Sequence, residues 1–145
     1  MKKNNAREYF QEGYLCAESI LLAGAETLGI KNPAIPAMAT AFCSGTSRTT
    51  GTCGAYQGSL LLISLLHGRQ HPEQDLDYCY ALAQEFTTWF ETRFGSTNCY
   101  KLCGCDFRED RDRIKFQKDG IKENICYPLV EDAAEFAINL LRNNI

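Results

Sequence analysis

Histidine is nearly missing from this sequence: His67 and His71 are the only two among 145 residues. A cysteine hydrolase needs an imidazole beside its thiol. On the helix predicted from Cys53, His67 stands fourteen residues further on, about 21 Å along the axis at 1.5 Å per residue. His71 falls in the loop beyond, so that chemistry is not expected. No Cys-x-x-Cys-His occurs, which removes covalent c-type haem by the ordinary motif. No glycine-rich loop ends in Gly-Lys-Ser/Thr, so there is no phosphate loop. Ferredoxin and zinc-finger cysteine spacings are missing too.

An excess of positive charge is also lacking. Fifteen Lys and Arg face eighteen Asp and Glu, a net charge of −3, so nucleic acid is not an expected partner. The longest apolar run, Leu60 to Leu66, is broken by Ser64 and falls far short of the ~20 residues that span a bilayer. The start, Met1-Lys2-Lys3-Asn4-Asn5, is basic, but a glutamate-containing helical pattern follows instead of an apolar stretch. Neither a signal peptide nor a membrane partner is expected, and the protein reads as cytoplasmic.

No run alternates as a half-buried strand does, and the expected fold is all-α. A single domain over 1–145 should form a compact helical bundle with a central buried helix after a glycine-rich loop. Phe10, Tyr14, Ala17, Leu21, Ala25 and Leu28 recur at helical steps, predicting one helix closed by Gly29. Pro33 fits the first turn of a short helix through Phe42. Ser44 to Thr52 is too polar and glycine-rich to be other than a loop. From Cys53 to His67 the chain is apolar nearly all round, which predicts the central helix. Pro72, with Glu73, Asp75 and Asp77, reads as the start of a helix running to Phe94. Ser96 can cap a short helix carrying Asn98, Cys99 and Cys103. Asp106 to Glu123 balances six acids against six bases and reads as solvated surface. A last helix opens at Pro128, with Val130, Ala134, Ala137, Ile138 and Leu141 as its core face.

Against this plain background stand eight cysteines. In a reducing compartment that number points to metal ligands or redox thiols before structural disulfides. Cys53, Cys99 and Cys126 each fall at a predicted helix start, where free N–H groups and the helix dipole favour thiolate. Three such starts could converge on one site. Cys16 is read mid-helix, and Cys79, between Tyr78 and Tyr80, as core. Gly45 and Gly51 suit a tight loop or close backbone approach to a bound group. Gly54 and Gly58 make small faces for packing, and Gly45, Gly51 and Gly54 are the candidate cofactor-binding glycines.

Four blocks of residues carry a family likeness. Gly13-Tyr14-Leu15-Cys16-Ala17-Glu18, Gly51-Thr52-Cys53-Gly54-Ala55-Tyr56-Gln57-Gly58, Phe94-Gly95-Ser96-Thr97-Asn98-Cys99 and then Cys126 together resemble the C_GCAxxG_C_C family of redox-active proteins. The resemblance implies a small helical module in which Cys16, Cys53, Cys99 and Cys126 form the cysteine set. Related modules occur in larger redox proteins, including a c-type cytochrome with an additional iron centre, which implies iron–sulfur ligation. Cys43, inserted after Phe42, and Cys103 and Cys105, around Gly104, depart from the family pattern and adjoin its blocks.

The expected metal ligands are therefore Cys16, Cys43, Cys53, Cys99, Cys103, Cys105 and Cys126. They would hold an iron–sulfur cluster, or failing that zinc, for electron transfer with a redox partner protein. The alternative is a metal-free thiol–disulfide oxidoreductase with Cys53 and Cys99 as its redox thiols. A redox-inert helical interaction module is the third reading. The chain could act alone or as a homo-oligomer.

Overall fold

Gly13 divides what the apolar spacing predicts as one helix. In the computed structural model, which describes residues 4–144, α1 (Ala6–Gln11) stops before Gly13, whose φ is +113°. Helix α2 (Cys16–Leu28) starts just beyond, with the Leu15 N–H donating to Glu18 Oε1 at 3.0 Å. Phe10, Tyr14 and Ala17 keep helical spacing across the break, so the stripe reads straight through it. The correction matters for chemistry: Cys16 is not mid-helix but the first residue of α2. Lys2 and Lys3, part of the basic start, lie outside the described residues.

The short helix expected from Pro33 is instead a 3₁₀ segment, Ala37–Phe42. The stretch after it, expected to be a loop, opens with a helical segment of the opposite hand. In α3 (Cys43–Arg48), Ser44, Gly45, Thr46 and Ser47 have φ of 57°, 65°, 54° and 58°, and Arg48 follows at 67°. Left-handed backbone costs roughly 1–2 kcal/mol for each residue carrying a Cβ. Several bonds hold it: Gly45 O accepts from Thr49 N–H at 3.2 Å and Gly51 N–H at 2.9 Å. Ser47 Oγ donates to Ala41 O at 2.8 Å.

Helix α4 (Gly54–His67) follows, with Cys53 as its N-cap. Helix α5 (Asp77–Phe94) starts later than Pro72 suggests. The acids there precede the helix, and the Asp75 carboxylate accepts from the Asp77 and Tyr78 N–H groups at 3.2 and 3.3 Å. Helix α6 (Cys99–Cys103) is capped by Asn98, whose Oδ1 accepts from Lys101 N–H at 3.0 Å. Ser96, the expected cap, accepts the Asn98 N–H instead. Helix α7 (Asp110–Lys118), a π-helical turn (Lys122–Cys126) and α8 (Tyr127–Arg142) complete the chain. No strand is present among the described residues, and no helix there is long and apolar enough to cross a membrane.

Helix α4 packs against α2, α8 and α5. Its seam with α2 is closed by small residues: a Cβ on Gly58 would lie 2.8 Å from Ala17 O, and one on Gly24 2.3 Å from Leu62 Cδ2. Moving from Ala17 to Gly24 along α2 matches moving from Gly58 to Leu62 along α4. The two helices therefore run in the same direction and present their N-termini at one end. Helix α8 buries Val130, Ala134, Ala137, Ile138 and Leu141 against them, the face its spacing predicts. Phe86, Phe90, Trp89 and Phe136 seat α5, with the Trp89 and Phe136 rings stacked 4.4 Å apart. Helix α7 buries no residue, as its balanced charge implies.

Candidate functional site

The parallel arrangement of α2 and α4 sets Cys16 and Cys53 side by side. Between them lies Gly54: a Cβ there would fall 2.2 Å from Cys16 Sγ and 3.1 Å from Phe42 O. Only glycine lets the two helix starts approach this closely. Cys99 is brought in by strapping the loop before α4 to the loop before α6. Cys53 N–H donates to Thr97 O at 2.7 Å, Cys99 N–H to Gly51 O at 2.9 Å, and Asn98 Nδ2 to Thr50 O at 2.8 Å. The left-handed α3 braces the far side, where a Cβ on Gly45 would meet Cys99 Cβ at 2.7 Å. Cys126, the N-cap of α8, arrives through the π-helical turn.

These starts meet at one cavity of about 270 Å³, lined by Cys16, Cys53, Cys99, Cys103 and Cys126. Its other walls are apolar (Phe10, Phe107, Phe116, Leu129), cationic (Arg48, Arg113, Lys122) or neutral polar (Ser44, Gln117), and no carboxylate lines it. Cys43 and Cys105 stand one layer back. The Cys43 thiol donates to Ala39 O at 3.6 Å, and the Cys105 thiol to Cys103 O at 3.7 Å. Cys79 is remote, half-buried against the core. Of the candidate glycines, Gly54 lines the cavity, whereas Gly45 and Gly51 pack against Cys99 and Thr46. All eight thiols are free. Among the described residues, no three His, Cys, Asp or Glu side chains converge closely enough to hold a single ion.

Electrostatics overturn one expectation. Helix starts were expected to favour thiolate at Cys53, Cys99 and Cys126, yet all three thiols are pushed up. Burial raises Cys53 to about 12, against the opposing pull of the Tyr56 and Ala55 N–H groups. Burial also raises Cys126. Cys99 rises because it donates its proton to Cys103, and burial adds to that. Two other thiols carry the negative charge. Cys103 falls to about 6, chiefly through the Cys99 hydrogen bond, and Cys16 to about 7 through Cys43 and the Ser44 N–H. At Cys53 desolvation outweighs both the half charge of the helix and the two N–H donors. Spacing by four residues already puts Cys99 and Cys103 on one face of a helix, whereas the meeting of Cys16 with Cys43 depends on how α2 and α3 pack and has no signal in the sequence.

Gly54→Ala is expected to push Cys16 off its neighbours and to cost about 1–3 kcal/mol by overpacking. Thermal unfolding of the metal-free protein reads the cost, and an unchanged Tm would show that Cys16 has room to move.

Among curated proteins and among solved structures, no match to the chain emerged. A family model does match, over residues 14–140, which takes in four of the five cavity-lining cysteines at helix starts and Cys103 with them. Its description is "Putative redox-active protein (C_GCAxxG_C_C)", and the chain belongs to that family.

Proposed function

We propose that this redox-active protein binds an iron–sulfur cluster in its thiol cavity and passes electrons to and from a partner redox protein. One observation carries the reading: four thiols at the heads of α2, α4, α6 and α8, with Cys103 at the end of α6, line a single cavity that contains no carboxylate. Soft thiolate donors with no oxygen competitors suit iron–sulfur groups. A single tetrahedral zinc fits less well, because its sulfurs must all lie about 2.3 Å from one point and no such convergence is present among the described residues. In a cluster the ligands serve different irons and stand further apart.

The cluster would supply one-electron chemistry at the cysteine sulfurs. The chain's own residues set its surroundings. Cys16, Cys53, Cys99 and Cys126 are the ligands we propose, with Cys103 as the fifth thiol within reach. Phe10, Phe107, Phe116 and Leu129 keep water from the sulfurs. The Ser44 N–H at Cys16 and the Tyr56 and Ala55 N–H groups at Cys53 stabilise negative charge on sulfur, which is how a protein tunes such a centre. The reducing cytoplasm is the compartment we propose, where eight free thiols persist.

A second reading has its own support. Cys16 and Cys103 are each held toward thiolate by a neighbouring thiol, Cys43 and Cys99 respectively. Thiolate and thiol of such a pair can close to a disulfide, passing two electrons and one proton to an oxidised disulfide of a partner protein, whose two sulfurs leave as thiol and thiolate. Anaerobic reconstitution with ferrous iron and sulfide separates the two. Iron and acid-labile sulfide stoichiometric with the chain are expected. A colourless protein with all eight thiols titratable would leave the dithiol reading in place of the cluster.

A further inference from the structure

The chain is acidic overall, with eighteen Asp and Glu against fifteen Lys and Arg. The cavity wall reverses that balance, with three cations and no acid. Arg113 is engaged by Asp110 and the Phe107 carbonyl. Arg48 and Lys122 form no ion pair among the described residues. Arg48 is exposed, and Lys122 Nζ rests 5.0 Å from the Phe10 ring centroid. Leu15 and Ile125 also line the cavity, yet they are 36% and 41% exposed. A residue can be both only where the cavity meets solvent. The mouth over the thiols is therefore edged by two exposed aliphatic side chains and two cations with no acid partner among the described residues.

Transient electron-transfer complexes use small contact areas, and charge complementarity sets their encounter rate more than their affinity. We propose that this mouth is the docking surface for an acidic electron-carrier protein, Leu15 and Ile125 forming its apolar centre and Arg48 and Lys122 its steering charges. The proposal rests on the thiol cavity being a redox site. One electron leaves the reduced carrier and reduces the centre behind the mouth, and no bond is made or broken.

The test uses the anaerobically reconstituted full chain in stopped flow. Photoreduced 5-deazariboflavin, a small uncharged donor, first reports whether the centre accepts electrons. A reduced acidic flavodoxin-type carrier is then compared with it from about 0.01 M to 1 M salt, where the Debye length shrinks from about 30 Å to 3 Å. The carrier's rate is expected to fall at least tenfold with salt. In Arg48→Glu/Lys122→Glu, its ratio to the deazaflavin rate should fall at least tenfold at low salt. Arg48→Gln/Lys122→Gln should give a smaller loss in the same direction. A carrier rate that ignores salt and both variants, beside normal deazaflavin reduction, overturns the docking surface and leaves the redox reading intact. If no reducible centre forms, the cluster reading fails and the dithiol reading takes its place. Docking is then read on the metal-free chain, by carbodiimide coupling of the carrier's carboxylates to lysine. A link at Lys122 supports the surface, and coupling that bypasses Lys122 overturns it.

Discussion

Cys53→Ser is expected to yield a folded protein that retains no iron after reconstitution, while Cys79→Ser retains a full complement. Both substitutions swap a sulfur for a hydroxyl, and each should cost about 1–3 kcal/mol of stability where the hydroxyl is buried. The difference lies in position. Cys53 is 7% exposed, caps α4, lines the cavity, and is tied through its N–H to Thr97 O. Cys79 packs against the core and lines no part of the cavity. Serine remains protonated at neutral pH and is a poor partner for iron, so one missing ligand should lower retention far more than it lowers Tm. Cys16→Ser, Cys99→Ser and Cys126→Ser should follow Cys53→Ser. Cys43→Ser and Cys105→Ser, one layer back, should keep iron. Iron per chain and Tm together check the series. Equal iron content in Cys53→Ser and Cys79→Ser would remove Cys53 from the site.

In the metal-free, reduced protein, Cys103 should react with iodoacetamide far faster than Cys53 at pH 7. With Cys103 near 6 and Cys53 near 12, the thiolate fractions at that pH are about 0.9 and 10⁻⁵. A more basic thiolate is the better nucleophile, and a Brønsted slope near 0.4–0.5 returns roughly 300- to 1,000-fold to Cys53. A ratio of about 100 or more remains in favour of Cys103. The sign follows from the direction of each shift. Cys103 reactivity should rise through about pH 6 and then level off, Cys16 should level off near 7, and Cys53 should still be rising at pH 10. Mass spectrometry of partly alkylated protein gives the profile for each cysteine. Parallel profiles for Cys103 and Cys53 would mean that the Cys99–Cys103 hydrogen bond does not form in solution.

The helices were legible in the sequence wherever one face repeats: α8 buries Val130, Ala134, Ala137, Ile138 and Leu141, the residues its spacing selects. Helix α4 was legible from its apolar content; the balanced charge of Asp106 to Glu123 showed a solvated surface but not that α7 would be helical. Periodicity could not show the break at Gly13, because Phe10, Tyr14 and Ala17 stay in phase across it. Nor could composition show that α3 is left-handed. Ser, Thr and Arg have no preference for positive φ, and the segment is held by distant partners: Gly51 on Gly45, and Cys99 against Gly45 Cα. Five of the seven expected cysteines line the cavity, and the position of Cys53 and Cys99 at helix starts was legible; Cys126 differs, because the π-helical turn runs straight into α8 and leaves no free helix end there. The acidities of the cavity cysteines were not legible, since those depend on burial and on S–H donors contributed by other parts of the chain.

Helix α7 carries a consequence for how this module can vary. It buries no side chain of its own and stands between Gly104 and Gly120, both at positive φ. It nevertheless contributes Arg113, Phe116 and Gln117 to the cavity wall. Residues that face the site are thereby uncoupled from residues that hold up the fold. Substitutions between the two glycines can recast one wall of the cavity at little expense to the bundle, making this the segment through which descendants of the same scaffold can diverge in what they admit to the thiols.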